Sequence, residues 1–348
     1  MGSESSASGG AIEPRVAVVI ATYNRPQHLS TCLEHLDRQT LSPTKIIVVD
    51  SSPGSDSAEV VRTHSSALYI RNPLGRGHTA TSRQMGVALA GDTEIVAFLD
   101  DDAFADPEWL SELVVPYRDP STGGVGGRAS NDVPGEEFVG LDDIGRFRAD
   151  GTMSGNFAAL PDADVVDVDH MLGANSSFRM SALAEIGGIE DYYPGTCFRE
   201  ESEPALRLRL SGYRIVYAPR AHVRHVAGTY ARGRRFDLRY LYYGQRNHFV
   251  LLGRLFGPRD RRFRAYIATA RRTVRGHLAY AARSLTRGQL LGAESALSGV
   301  GRGVLNAGAT CLGMVVGLWL VRSGRVPRAT IAPRTAEPSG TVNNGHRP

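Results

Sequence analysis

The sequence predicts an α/β protein with a doubly wound, mostly parallel sheet and a helical, arginine-rich C-terminal extension. Short apolar runs alternate with helical patterns over about the first 100 residues, as expected for strands buried on both faces. Polar residues follow three of these runs directly, at Tyr23-Asn24, Asp50 and Asp100–Asp102. From Leu238 onwards the pattern is helical and rich in arginine. Because ligands of such sheets bind at the carboxyl ends of the strands, these polar positions are candidate site residues.

Buried strands and amphipathic helices alternate in the first part of the chain. Each predicted strand is a short apolar run, and each predicted helix repeats apolar residues every three or four positions. The predicted strands are Val16–Ala21, Ile46–Val49, Ala67–Ile70 and Ile95–Leu99. The predicted helices are one that begins at Pro26, then Ala58–Thr63 and Ala80–Leu89.

The second part of the chain has weaker periodicity. Residues 118–170 are rich in Gly, Asp and Pro, so we expect an irregular region with a strand or two. Val304–Val321 is apolar but contains Asn306 and Thr310, so we expect it to pack on helices or lie at a membrane surface instead of crossing a membrane. The other predicted elements are helices Trp109–Tyr117, Met180–Ile186 and Pro204–Leu210 and a strand over Arg214–Tyr217.

Charge is distributed unevenly along a chain whose formal net charge is +4. Residues 205–335 contain 25 arginines against Asp237, Asp260 and Glu294. A basic half predicts an anionic partner such as lipid head groups, phosphates or nucleic acid, and we expect an anionic membrane surface and no nucleic acid. The three widely spaced cysteines favour neither a disulfide framework nor a zinc site, and they are typical of a reducing compartment.

The acidic run Asp100–Asp102 directly follows an apolar strand. Carboxylates packed together need a compensating cation, and their hard oxygen atoms suit Mg²⁺ or Mn²⁺ bridging to substrate phosphates. The alternative is a solvated acidic turn before the next helix, since Asp106-Pro107-Glu108 follows. The run alone does not decide between a metal site and a turn.

A second acidic run, Glu200-Glu201-Ser202-Glu203, precedes a predicted helix. Acidic residues in a first helical turn complement the helix dipole, so capping is one interpretation. The other is a general base, because neighbouring carboxylates raise one another's pKa towards neutrality. Spacing alone leaves the two interpretations equal.

Several blocks occur in a recognisable order between about residues 15 and 250. They are Val18–Pro26, Ile46–Asp50, Phe98–Asp102, Asp106–Leu110, Gly173–Asn175, Phe178-Arg179, Gly187-Gly188, Phe198–Glu203 through Arg207, Gly212-Tyr213, and Pro219, Ala221 and His225. Together they resemble the family 2 glycosyltransferases with the GT-A fold. Phe98–Asp102 is similar to the family's DxD segment, and Phe198–Glu203 is similar to its acidic catalytic segment.

The resemblance implies a metal site and a catalytic base. Asp100 and Asp102 match the two acids of DxD, with Asp102 the better candidate for direct contact with Mn²⁺ or Mg²⁺ and Asp101 the intervening residue. His225 stands where some members supply a further metal or phosphate contact, and a histidine merely packed at a strand end is an equal alternative. Glu201 matches the family's base, and Glu200 could exchange roles with it. The residues implied in nucleotide-sugar binding are Thr22, Tyr23, Asp50, Arg83 and Asp100.

The activity implied is an inverting, metal-dependent transfer of a sugar from a UDP-, dTDP- or GDP-sugar to an acceptor hydroxyl, in a hexosyl- or deoxyhexosyltransferase. No Q-x-x-R-W motif is present, which favours a single transfer per acceptor. We expect a cytoplasmic enzyme, peripheral on the inner membrane face, with a lipid-linked acceptor in envelope assembly or an acceptor in secondary metabolism. Two alternatives are a sugar nucleotidyltransferase, which would need a Gly-rich phosphate loop after the first strand, and a non-catalytic binding protein of the same fold.

The domain organisation expected from these observations has four parts. A disordered leader over residues 1–14 precedes a catalytic domain over residues 15–235. That domain divides into a nucleotide-sugar half, residues 15–117, and an acceptor half, residues 118–235. A basic, amphipathic helical extension over residues 236–328 and a disordered tail over residues 329–348 complete the chain.

Overall fold

The computed structural model describes residues 13–64, 66–226, 237–291 and 293–333. These ranges form a sheet flanked by helices, followed by three long helices. The strands are β1 Val16–Thr22, β2 Lys45–Asp50, β3 Ala67–Arg71, β4 Ile95–Asp100, β5 Ala103–Ala105, β6 Thr122–Ser130, β7 Val166–Asp167, β8 Asn175–Arg179 and β9 Arg214–His225. The helices are α1 Pro26–Leu36, α2 Asp56–Thr63, α3 Thr79–Ala90, α4 Trp109–Val114, α5 Met180–Glu185, α6 Ser202–Leu210, α7 Leu238–Leu255, α8 Arg261–Leu291 and α9 Ala293–Arg322.

The strand order across the sheet is β3-β2-β1-β4-β8-β6-β9-β5, and β7 pairs with β9. β3, β2, β1 and β4 are mutually parallel, so their carboxyl ends lie at one edge of the sheet. β8 is antiparallel to both β4 and β6, whereas β6 and β9 are parallel. The predicted doubly wound, mostly parallel α/β fold is therefore confirmed, with antiparallel pairs confined to its second half.

The sheet separates two hydrophobic layers, because alternate residues of a strand face opposite sides. In β1, Val16, Val18 and Ile20 pack in the layer that contains α1, α2 and α4. Ala17 and Val19 pack in the layer that contains α3, α5 and α6. Burial on both faces explains why this strand is a continuous apolar run and not an alternating one.

The predicted helix Trp109–Tyr117 is shorter than expected. It is α-helical only to Val114 and continues as a 3₁₀ turn over Val115–Arg118. Pro116 lies in the first turn of that segment, and proline has no N–H with which to continue an α-helical ladder.

The predicted strand Arg214–Tyr217 is longer than expected and continues to His225 as β9. Its pairing with β6 shifts register between Gly127 and Arg128 and resumes beyond Pro219. The extension matters because its last residues pair with β5 at the edge of the candidate site. The region predicted to be irregular contains β6 and β7, in agreement with the expectation of a strand or two.

The three C-terminal helices pack on one another and on the sheet domain. α7 contacts α8 through the buried rings of Phe249 and Phe263, whose centroids are 5.6 Å apart. α9 approaches α7 closely at glycines: a Cβ at Gly313 would lie 2.2 Å from the carbonyl oxygen of Tyr242. Within the described ranges, the segment Leu297–Arg322 is long and apolar enough to cross a membrane, and 22% of its most apolar stretch is buried.

Ala329 and Thr330, at the start of the predicted tail, form backbone hydrogen bonds with α6 and α7. The Ala329 N–H donates to the carbonyl oxygen of Arg254 at 3.1 Å, and the Thr330 carbonyl accepts from Arg207 Nε at 3.0 Å. The Arg207 guanidinium is fully buried and needs acceptors, and the Thr330 carbonyl supplies one of them. Residues 1–12 of the predicted leader and residues 334–348 of the predicted tail lie outside the described ranges.

Candidate active site

A cavity of about 660 Å³ opens at the carboxyl ends of β1 and β4. Both predicted acidic runs reach it, together with Thr22 at the end of β1, Tyr23 directly after it and Arg83 from α3. Residues 195–198 and the start of α7 form other parts of its wall. The topology therefore brings to one cavity residues that are more than 200 positions apart in the sequence.

Asp100, Asp102 and His225 form one compact group. Their ligand atoms all lie within 4.8 Å of one another, and His225 Nε2 is 3.3 Å from Asp102 Oδ1. The antiparallel pairing of Ala103 in β5 with His225 in β9 produces this proximity. Two carboxylates and an imidazole are a donor set that suits Mn²⁺ or Mg²⁺ with coordination positions left for phosphate oxygens. The predicted metal ligands thus lie together.

Asp101 is more than an intervening residue, because it is buried and hydrogen-bonded. Its carboxylate accepts from Thr22 Oγ1 at 2.7 Å and from Arg25 Nη1 at 3.1 Å. Burial raises the pKa of Asp101 to about 7, and the neighbouring Asp102 adds to the rise. Although burial also opposes the ionisation of Asp102, its hydrogen bond with His225 and the Arg25 charge hold the pKa of Asp102 below the ordinary value.

Arg25 is a site residue that the sequence analysis missed. Its Nη1 donates to Asp102 Oδ2 at 2.5 Å as well as to Asp101. Arg25 follows Asn24, whose φ of 52° lies in the left-handed region and turns the chain at the end of β1. The Asn24 N–H donates to Ser52 Oγ at 2.8 Å, which fixes that turn. The only sequence signal was the basic residue within the Val18–Pro26 block.

Arg83 links the two acidic runs. Its side chain is buried, and Nη1 donates to Glu200 Oε1 at 2.5 Å while Nη2 donates to Asp100 Oδ1 at 3.1 Å. Nη2 also donates to the carbonyl oxygen of Gly173 at 2.8 Å. One guanidinium therefore holds β4, the Gly173 loop and the Glu200 segment in register, a role for which its planar fork of donors is suited.

Glu200 and Glu201 both line the cavity just before α6. No side-chain capping bond forms at the N-cap of α6, which is Glu201, so the capping interpretation lacks its expected contact. Among the described residues, Glu200 Oε2 is buried and has no hydrogen-bond partner. Burial raises the pKa of both carboxyls, although Arg83 opposes the rise at Glu200 and Arg199 and Arg83 oppose it at Glu201.

Two other predicted residues have roles that differ from the expectation. Asp50 is fully buried beneath the site and does not line the cavity; its carboxylate accepts from the Ser52 N–H at 2.8 Å and from Tyr69 Oη at 3.1 Å. The adjacent Ser51 lines the cavity instead. Glu203, in the first turn of α6, does not line the cavity either; its carboxylate accepts from the buried Arg254 Nε at 2.6 Å, which makes it a structural residue.

Comparison with known proteins relates this chain to a family. A family model described as glycosyl transferase family 2 matches residues 17–187. O-antigen chain rhamnosyltransferase WbaN of Salmonella anatum is 26% identical over 216 residues, 61% of this chain and 66% of that protein. Glucosyl-dolichyl phosphate glucuronosyltransferase of Haloferax volcanii is 27% identical over 232 residues, 61% of this chain and 69% of that protein. The chain thus spans about two thirds of the length of these relatives.

The solved structures agree with this assignment at the level of fold. Mannosyltransferase PcManGT from Pyrobaculum calidifontis, solved in complex with GDP-Man and Mn²⁺, superimposes with a TM-score of 0.56 at 18% identity. The match covers 88% of this chain and 87% of that one. The sheet and the helices on its two faces thus have the GT-A fold. Residues 17–187 belong to glycosyltransferase family 2.

Proposed function

We propose that this chain is an inverting, metal-dependent glycosyltransferase that makes a single transfer from a nucleotide diphosphate sugar to an acceptor hydroxyl. The observation that carries the proposal is one cavity in which Asp100, Asp102 and His225 lie at one side and Glu200 and Glu201 at another. The first group suits a divalent ion and a diphosphate, and the second suits the removal of a hydroxyl proton.

In the proposed mechanism, Asp100, Asp102 and His225 would hold Mn²⁺ or Mg²⁺, which would supply positive charge for the leaving diphosphate. Glu201 accepts the proton of the acceptor hydroxyl, or Glu200 does so through its unpaired Oε2. Direct attack of that hydroxyl oxygen on the anomeric carbon breaks the bond to the diphosphate and inverts the configuration. Arg83 orients Glu200 and Asp100 towards one another.

The donor site in this proposal lies after β1. Thr22, Tyr23 and Ser51 line the cavity there, and the Tyr23 ring offers a face for a nucleotide base. Asp50 supports Ser52 from below through its hydrogen bonds. The nucleotide is UDP, dTDP or GDP, and a rhamnosyl, glucuronosyl or mannosyl donor is consistent with the names of the similar proteins.

The acceptor in this proposal is linked to a lipid at the cytoplasmic face of a membrane. Arg76 and Arg239 line the same cavity, and their guanidinium groups can contact an acceptor phosphate. Exposed apolar residues of α9 include Val304, Leu312 and Val315, each more than half exposed. Between Arg261 and Pro333 the chain has twelve arginines and Glu294 as the single acid, which complements an anionic bilayer.

The experiment that tests the proposal measures the products formed from a donor panel. Purified protein with Mn²⁺ is incubated with UDP-, dTDP- and GDP-sugars, with and without polyprenyl-phosphate-linked acceptors. We expect nucleoside diphosphate release that increases with acceptor, and a glycoside of inverted anomeric configuration by NMR. Release of pyrophosphate from a nucleoside triphosphate and a sugar phosphate would instead indicate a nucleotidyltransferase, and retained configuration would exclude the direct displacement.

A further inference from the structure

The segment that carries Glu200 and Glu201 has an unusual backbone. Cys197 and Arg199 adopt φ values of 58° and 83°, in the left-handed region that residues with a side chain rarely occupy. Such conformations persist only where surrounding contacts hold them. The contacts that hold this segment therefore determine where the carboxylates of Glu200 and Glu201, the candidates for the catalytic base, lie.

Arg199 is anchored to the C-terminal extension. Its Nε donates to His248 Nδ1 of α7 at 3.0 Å, and its guanidinium carbon lies 4.1 Å from the centroid of the Phe198 ring. The next residue along the chain is Glu200, whose N–H donates to the Cys197 carbonyl at 3.0 Å. A side chain on α7 thus fixes the residue that immediately precedes the acidic pair.

His248 accepts the hydrogen bond from Arg199 because its other ring nitrogen is held as a donor. It is 1% exposed, and its Nε2 lies 2.7 Å from the carbonyl oxygen of Gly151, which can only accept. Nε2 therefore carries the proton and Nδ1 presents a lone pair to Arg199. Burial and the charge of Arg199 lower the pKa of His248 well below its ordinary value, in keeping with this neutral tautomer. The ring of Tyr266 from α8 packs against it at 4.1 Å between centroids.

Other residues of α7 contact the same stretch of chain. Arg246 Nη1 donates to the Tyr192 carbonyl at 2.6 Å, and Asn247 Nδ2 donates to the Pro194 carbonyl at 3.3 Å. On the other side of the acidic pair, Arg254 Nε binds Glu203 at 2.6 Å. α7 therefore holds the stretch from Tyr192 to Glu203 at points before and after Glu200 and Glu201.

We propose that the C-terminal extension completes the active site, and that His248 acts through Arg199 as a positioning residue for Glu200 and Glu201. The proposal rests on the proposed transferase function of those carboxylates. Residues 238–255 lie beyond the region that the family model matches, so this positioning is supplied by the part of the chain outside residues 17–187. The same contact places the Arg199 charge near Glu201 and favours its carboxylate form.

The test compares His248→Leu with His248→Gln in the full chain. Leucine removes the acceptor, whereas glutamine restores both partners, because its Oε1 can accept from Arg199 and its Nε2 can donate to Gly151. We expect His248→Leu to lower kcat about 10- to 100-fold with little change in donor KM, since a misplacement of about 1 Å has effects of that order. The acidic limb of its pH–rate profile should move to higher pH. The reason is that Arg199 is no longer held near Glu201, so its positive charge no longer lowers the pKa of that carboxyl. His248→Gln should recover most of the rate.

A matched control is His64→Leu, which removes a histidine at the end of α2. Its kcat and pH profile should equal those of the wild type. Wild-type kcat in His248→Leu, or a loss in His248→Gln as large as that in His248→Leu, would overturn the positioning role.

A second readout does not depend on turnover. Hydrogen exchange of peptides covering residues 192–203 should be faster in His248→Leu than in the wild type and near wild type in His248→Gln. Unchanged exchange would overturn the proposal. If the wild-type enzyme transfers no sugar from any donor while exchange responds as expected, the proposed function fails and the anchoring of this segment stands.

Discussion

At the scale of single residues, two arginines, the buried Arg83 and the more exposed Arg25, allow the carboxylates of this site to lie close together. Asp100 and Glu200 share the donors of Arg83, and Asp101 and Asp102 share those of Arg25. Without such partners, clustered buried carboxylates would be protonated or displaced. The site is therefore preorganised before substrate binds, and its geometry should be sensitive to the shape of each arginine as well as to its charge.

Arg83→Lys keeps the charge but replaces a planar fork by a single ammonium that cannot reach three acceptors in the same geometry. We expect kcat/KM to fall about 10- to 100-fold, corresponding to about 1.4 to 2.8 kcal/mol of lost transition-state stabilisation. Steady-state kinetics at saturating Mn²⁺ measures this effect. Arg15→Lys, in an exposed pair with Asp92, is the matched control and should have no effect. An equal, small effect of both substitutions would contradict the linking role of Arg83.

The pH dependence of activity follows from the raised pKa of Glu200 and Glu201. The base works as a carboxylate, so the rate should fall as pH decreases through its raised pKa. The acidic limb of the kcat/KM profile should therefore lie above the ordinary glutamate value of about 4.3. Rate measurements between pH 4 and pH 9 check this, and a limb at the ordinary value would contradict burial of the base.

At the scale of elements, local periodicity predicted the strands that are continuous apolar runs. It did not predict the length of β9, which depends on pairing with strands distant in the sequence. The strands β1, β2 and β4 were predicted closely because each is buried on both faces and is a continuous apolar run. The extension of β9 to His225 depends on a register shift in β6 and on pairing with β5, and no local pattern encodes either.

The sequence likewise predicted some residues of the site and not others. The acids at strand ends follow from sheet geometry, and a known family pattern supplied their roles. Arg25 and the anchoring contact of His248 with Arg199 depend on contacts between distant segments, 76 and 49 residues apart, that only the folded chain displays. The local sequence pattern also did not predict that Asp50 lies beneath the site. Its carboxylate oxygens accept hydrogen bonds from Ser52 and from Tyr69, and the contact with Tyr69 forms only in the folded sheet.

The contact of α3 with β1 gives a prediction at this scale. A Cβ added at Gly86 of α3 would lie 2.3 Å from Val19 Cγ1 in the central strand. Gly86→Ala should therefore destabilise the protein by about 1–3 kcal/mol, as overpacking of a core does, and should lower activity by displacing Arg83 on the same helix. Gly244→Ala in α7, where no neighbouring atom lies within 4 Å, should stabilise it by about 0.5–1 kcal/mol. Urea unfolding measures both, and equal midpoints would contradict the close α3–β1 packing.

At the scale of the whole molecule, charge and apolar surface are concentrated in the C-terminal helices. The exposed arginines Arg264, Arg271, Arg272, Arg275 and Arg283 lie on α8. The exposed apolar residues Val304, Leu312 and Val315 lie on α9, the helix packed against it. α7 packs against α8 and α9 and also holds the segment that carries Glu200 and Glu201. A membrane bound by α8 and α9 would therefore have a fixed distance and orientation relative to the cavity.

We expect salt-sensitive binding of the protein to vesicles that contain anionic lipid, because exposed arginines attract the lipid head groups through a screened interaction. Replacing Val304, Leu312 and Val315 together by glutamate should abolish binding in a vesicle co-sedimentation assay. Phe138→Glu, in a short 3₁₀ turn where the side chain is 72% exposed, is the matched control and should bind normally. Equal binding to neutral and anionic vesicles would contradict the role of the arginines.

The most direct test of the central claim is Mn²⁺-dependent release of nucleoside diphosphate by the wild type, Asp102→Asn and Glu201→Gln, with Asp106→Asn as an exposed-carboxylate control. Asp102→Asn should weaken the dependence on Mn²⁺ concentration and lower the rate at least about 100-fold. Glu201→Gln should lower the rate about 10²- to 10⁴-fold at unchanged Mn²⁺ dependence. Asp106→Asn should match the wild type. Release by Asp102→Asn and Glu201→Gln at the wild-type rate would contradict the claim that this cavity carries out sugar transfer.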